Sequence, residues 1–198
     1  MTLKNAFDEF MFQKELAGLS PASLSDYRNY ITIMLNHVGE SMDLESVTYE
    51  LVAGYIMVLL HRPLSKATIS TYVRNARIFL RWVHAEYGLS FDPVKIKVPK
   101  PPKKNVHVLS SAEIQYLLDS AKCSVPWLTA RNKAIIALMP DSGLRQNEIC
   151  TLVKKGLDFD RGALQVTGKS CKDRLVPLGY IFKILITITE REILVSTI

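Results

Sequence analysis

KATISTYVRNARIFLRWVHAEY, residues 66–87, carries two patterns at once. Ile69, Tyr72, Val73, Ala76, Leu80, Val83 and Tyr87 recur at about 100° per residue, which predicts an amphipathic helix. Ser65 is placed to cap its start and Gly88 follows its end. Arg74, Arg77 and Arg81 fall within about 60° of one another on a different face, beside Ser70. A packed helix then presents three guanidinium groups in a row, each able to fork onto phosphate oxygens. The competing reading is an exposed face holding salt bridges, although Glu86 is the one acid nearby.

The helical pattern extends upstream. Leu3, Phe7, Phe10 and Met11 predict a helix over 3–17, closed by Gly18. Ser20-Pro21 supplies a cap and a first-turn proline for a second helix over 21–37, and a third runs over 49–60 until His61-Arg62-Pro63. Downstream, residues 92–105 read DPVKIKVPKPPKKN, four prolines and five lysines without helical period. That composition predicts a stiff, extended, basic linker and a domain boundary.

Past the linker the period changes. Helices are expected from Ser110 or Ser111 to Ala121, over 127–139 with Pro140 as the stop, and over 145–153. Residues 157–160, 163–167 and 174–177 then alternate like short strands separated by turns. The fold class is therefore mainly α: a four-helix domain over 1–91, the linker over 92–105, and an α+β domain over 106–198 with a small antiparallel sheet.

Charge is unevenly spread along these segments. Residues 1–60 hold three Lys/Arg against eight acids, a net of −5, whereas 61–104 hold ten against two, a net of +8. A basic block within a well-patterned helical region is the electrostatic footprint expected for a phosphate backbone. Neither an apolar stretch long enough to span a bilayer nor an apolar signal core stands out, so a cytoplasmic protein is expected. Cys123, Cys150 and Cys171 are widely spaced without a CxxC pair, and the four histidines lack metal-ligand spacing, so neither metal nor cofactor is expected.

The chemistry concentrates in Asp141-Ser142-Gly143-Leu144-Arg145-Gln146-Asn147-Glu148. Gly143 permits a tight turn, so Arg145 projects from the first turn of a helix, and Glu148 follows one turn later on the same side. An arginine so placed suits an anion. About twenty residues on, Thr167-Gly168-Lys169 puts a lysine at the tip of an expected hairpin, followed by Arg174-Leu175-Val176-Pro177-Leu178. Gly162 to Gly168-Lys169-Ser170 superficially suggests a P-loop, but five residues intervene where four are required, and a strand rather than a helix follows.

The Gly-Leu-Arg-x-x-Glu turn and the Thr-Gly-Lys hairpin running into Arg-x-Val-Pro-Leu together resemble the phage-integrase or Xer-type tyrosine recombinases. Gly18-Leu19-Ser20-Pro21 and the basic fourth helix resemble that family's SAM-like core-binding domain, and Leu109 to Ile114 the opening of its catalytic domain. The resemblance implies that Arg145 neutralises a scissile phosphate, that Lys169 protonates the leaving 5′ oxygen, and that Glu148 supports Arg145. It implies double-stranded DNA as partner, touched by Ser70, Arg74, Arg77, Arg81, Lys100, Lys103, Lys104 and Lys172, with other recombinase subunits as further partners. Two departures stand out. Ser170-Cys171 replaces the glycine-rich hairpin tip, and no histidine follows His107 while Tyr180 is the only tyrosine after the hairpin. The family's His-x-x-Arg pair and nucleophilic tyrosine are thus missing, and the expectation is a chain that binds DNA without cleaving it. A DNA-binding regulator, or a competitor of a full-length recombinase, is the alternative.

Overall fold

The computed structural model describes residues 1–103, 105–153, 156–158, 160–167, 173–177 and 179. Its contacts divide the chain into two compact units, Met1–Asn105 and Val106–Ile198.

Four helices build the first unit: α1 (Leu3–Leu16), α2 (Pro21–Val38), α3 (Tyr49–His61) and α4 (Lys66–Tyr87). Each begins at a hydroxyl residue whose oxygen accepts an N–H three positions on: Thr2 from Asn5, Ser20 from Ser23, Thr48 from Leu51 and Ser65 from Thr68. Such caps satisfy amides that the helix itself leaves without partners, for about 1 kcal/mol each. The core is aromatic at its centre, where Phe10 and Phe79 are fully buried and meet edge to face at 5.4 Å. Trp82 packs against Phe10 and donates its indole N–H to Gln13 Oε1 at 2.9 Å, tying α4 to α1. The expected apolar stripe of α4 is corrected at two places. Phe79 joins it as a central core residue, and Tyr87 lies exposed at the rim, its O–H donated to the Glu9 carboxylate. A polar hydroxyl prefers that edge, where a partner is within reach.

The stiff, extended linker expected over 92–105 is docked and turned in its first part. Pro93–Lys95 forms a single 3-10 turn, capped by Asp92 Oδ1 accepting from the Val94 N–H at 2.8 Å. Pro93 and Ile96 are buried, and Val98 packs beside them against the helical core. These apolar side chains, spaced between lysines, give the segment a face to bury, which the count of prolines and lysines conceals.

The second unit contains α5 (Ser111–Ser120), α6 (Pro126–Ser142) and α7 (Gln146–Cys150), then β1 (Leu157–Asp158), β2 (Ala163–Thr167) and β3 (Asp173–Pro177). The strands form one antiparallel sheet in the order β1-β2-β3, with Leu164 opposite both Leu157 and Val176. Alternation along β2 turns Leu164 and Val166 inward, where they meet Val176, Ala134, Leu138 and Leu144. A reciprocal capping box between Ser110 and Glu113 starts α5.

Pro140 does not stop α6. The helix continues to Ser142, because a proline so close to the end removes a single N–H while the final carbonyls find other donors. Ser142 Oγ donates to the Leu138 carbonyl at 2.6 Å and the Gly143 N–H to the Met139 carbonyl at 3.1 Å. Gly143 ends the helix at φ +61°, in the left-handed region where a side chain is disfavoured. Among the described residues no helix is long and apolar enough to cross a membrane.

Candidate nucleic-acid interface and phosphate-binding turn

The first candidate surface lies on α4. Its helical period brings Arg74, Arg77 and Arg81 to one side, and residues 97–101 run beside that side to leave an open cleft of about 520 Å³. Ser70, Arg74 and Arg77 line it from the helix, and Lys97 and Lys100 from the segment opposite. Arg74 and Arg81 are exposed, and Arg77 is half-buried with its Nη1 donating to the Ile96 carbonyl at 3.2 Å. Among the described residues none of the three arginines is paired with a carboxylate. Their charge therefore stands uncompensated towards whatever enters the cleft.

Ser70 departs from its expected place at the surface. It is 2% exposed and forms the floor of the cleft, because its short side chain cannot reach past the neighbouring segment as the arginines do. Lys97, which periodicity did not single out, lines the cleft instead. Its signal was its spacing beside Lys100 in a segment with apolar residues to dock. Lys103 is exposed beyond the cleft, and Lys104 lies outside the described residues.

The second candidate surface is the turn between α6 and α7. Leu144 is buried in the small core, which anchors the turn, and Arg145 follows as the N-cap residue of α7 with its side chain 70% exposed. Glu148 is buried beneath it. Glu148 Oε2 accepts the Arg145 backbone N–H at 2.8 Å, and Oε1 accepts from Arg145 Nη1 at 3.1 Å. The sequence thus supplies both ends of one clamp, holding main chain and guanidinium at the same carboxylate. That carboxylate sits below the ordinary glutamate range. The backbone hydrogen bond from Arg145 is the largest cause, burial opposes it, and the Arg145 side chain and the charge of Arg174 add to it.

Arg174 is the functional candidate that sequence reading passed over. From β3 its Nη2 donates to Glu148 Oε2 at 2.9 Å, so one buried carboxylate carries two guanidinium groups. Arg174 stood within the Arg-x-Val-Pro-Leu stretch, but a contact across 26 residues leaves no periodic trace. Nearby, Gly179 donates its N–H to Asp141 Oδ2 at 2.6 Å, and a Cβ at 179 would overlap that carboxylate. Thr167 Oγ1 donates to Asp173 Oδ1 at 2.7 Å where β2 and β3 pair, closing the base of the hairpin. Lys169, Lys172 and Tyr180 lie outside the described residues.

Known proteins share this arrangement of elements. Residues 107–195 match the phage integrase family model. Tyrosine recombinase XerD of Oceanobacillus iheyensis is 33% identical over 177 residues, which are 87% of this chain and 59% of that protein. These matches support the tyrosine recombinase family. XerD of Halalkalibacterium halodurans is 27% identical over 91% of this chain and 62% of its own length, so the chain spans about three-fifths of these relatives. Among solved structures, a lambda integrase dimer bound to a COC′ core site is similar in fold at TM-score 0.76, with 19% identity over 94% of this chain and 68% of that one. The Tn1549 transposon integrase in complex with a circular intermediate DNA follows at TM-score 0.74 and 15% identity, over 94% of this chain and 64% of that one.

Proposed function

We propose that this chain is of the tyrosine recombinase family and binds double-stranded DNA through the cleft beside α4 and through the Arg145 turn. The observation that carries the reading is the set of cations lining the cleft, none of them paired with a carboxylate among the described residues. A duplex presents phosphates along both strands, and displacing their counterions drives association. In this reading Arg74, Arg77, Arg81, Lys97 and Lys100 follow the backbone, and Lys103, Lys104 and Lys172 add to the same field. Solved relatives bound to DNA support the choice of partner.

Arg145 is proposed to take the non-bridging oxygens of one phosphate, with Glu148 fixing its direction. Lys169 is proposed to give a proton to the departing 5′ oxygen, a poor leaving group without an acid. Residues 1–198 hold no histidine after His107 and one tyrosine after the hairpin, Tyr180. The reading therefore assigns this stretch of chain recognition of DNA without formation of a phosphotyrosine bond. Fluorescence anisotropy with a labelled duplex tests binding, and a nicked duplex that traps covalent intermediates tests chemistry. Saturable binding without an adduct is the expected pair of results. An absence of binding contradicts the first part, and recovery of a covalent protein–DNA adduct contradicts the second.

A further inference from the structure

We infer that Arg174 is a positioning residue for Arg145, acting through the carboxylate of Glu148. The inference rests on the reading of Arg145 as a phosphate-binding group and adds to it the element that aims that group. Arg145 ends in a long, exposed side chain at the head of a five-residue helix, whose one hold on the guanidinium among the described residues is Glu148. What holds it is Glu148, and Glu148 is in turn held from the sheet. Arg174 Nη2 lies 2.9 Å from Oε2, the oxygen that also accepts the Arg145 N–H at 2.8 Å, leaving Oε1 to the Arg145 guanidinium at 3.1 Å.

Arg174 is well placed for this. It pairs with Val166 across β2–β3, and Val166 is buried, as is Val176 two residues further along β3. The sheet therefore fixes the backbone of Arg174, and Arg174 fixes the plane of the carboxylate. Charge leads to the same assignment. One carboxylate between two guanidinium groups leaves the cluster with a net charge of about +1, enough to attract an anion while Glu148 screens the two cations from each other. Removing Arg174 keeps an acid beneath Arg145 but frees it to turn, so the guanidinium loses its aim while its charge remains.

A double-mutant cycle on the full 198-residue chain, read by anisotropy with a fluorescent duplex, tests this. Arg174→Gln should weaken binding by about fivefold to tenfold in the otherwise unchanged chain and by less than about twofold in an Arg145→Gln background. Arg174→Lys, which keeps one donor and the charge, should recover at least half of that loss on a logarithmic scale. An equal loss in both backgrounds would make Arg174 an independent contact and overturn the inference, as would no loss at all. If Arg145→Gln itself leaves affinity unchanged, the phosphate reading falls and takes this inference with it. A loss on Arg145→Gln beside an unaffected Arg174→Gln sinks the inference alone. Circular dichroism checks the fold of each variant, and should Arg174→Gln unfold, the same cycle run with Arg174→Met, which keeps much of the apolar stem without the donors, decides.

Discussion

Glu148 Oε2 lies 2.9 Å from Arg174 Nη2 and 2.8 Å from the backbone nitrogen of Arg145, so a single buried oxygen joins a strand to the start of a helix. The relationship has a pH signature. Hydrogen bonds and the two guanidinium groups favour the ionised carboxylate in the folded chain and lower its pKa from the ordinary glutamate value of about 4.3. A depressed carboxylate stabilises the fold above the unfolded pKa, and that stabilisation disappears as pH falls through the folded one. Thermal unfolding of wild type and Glu148→Gln should differ most at neutral pH, wild type melting higher, and converge as pH falls through the lowered folded-state value of the carboxyl. A gap that stays constant from neutral to acid pH would show that ionisation of Glu148 contributes nothing.

Tyr55 carries a second prediction. Its ring is 1% exposed in the core of the first unit, and its hydroxyl has no hydrogen-bond partner among the described residues. Burial pushes the phenol well above its usual pKa. A buried hydroxyl without a partner forfeits its hydration, so Tyr55→Phe should raise stability by about 1 kcal/mol. Chemical denaturation of the two proteins measures this directly. A variant less stable than wild type would mean that the hydroxyl is satisfied in solution.

At Gly143 the cost of substitution should be conformational alone. Its φ is +61° and a Cβ would meet nothing within 4 Å, so Gly143→Ala should lower stability by about 1 kcal/mol through backbone strain. Asparagine tolerates the left-handed region better, and Gly143→Asn should recover part of that loss. Equal unfolding midpoints for glycine and alanine would remove the turn from the account.

Much of this fold was legible because its signals are local. Ser20, Ser65 and Ser110 announce helix starts in their own side chains, and Gly88 and Gly143 close helices by backbone freedom. Alternation placed β2 over its observed span, whereas the third helix of the second unit is confined to Gln146–Cys150, shorter than its spacing implied. What escaped depends on tertiary neighbours. Ser70 shares a face with the arginines yet sits on the floor of a cleft, because a segment some thirty residues later runs beside it. Ile96 and Val98 look like linker until α4 offers them a surface. The Arg145–Glu148 pair could be anticipated from a spacing of three, and the third member, Arg174, could not.

Exposed cations of the cleft are proposed to meet the phosphates of a duplex. The most direct measurement is the dependence of duplex affinity on salt for wild type and for Arg74→Gln combined with Lys100→Gln, two exposed residues on opposite walls. Wild-type affinity should fall steeply with added salt, and the double variant's slope, in log affinity against log salt, should be shallower by about 0.9 for each contact removed. A wild-type affinity indifferent to salt, or a slope identical in the two proteins, would contradict that proposal.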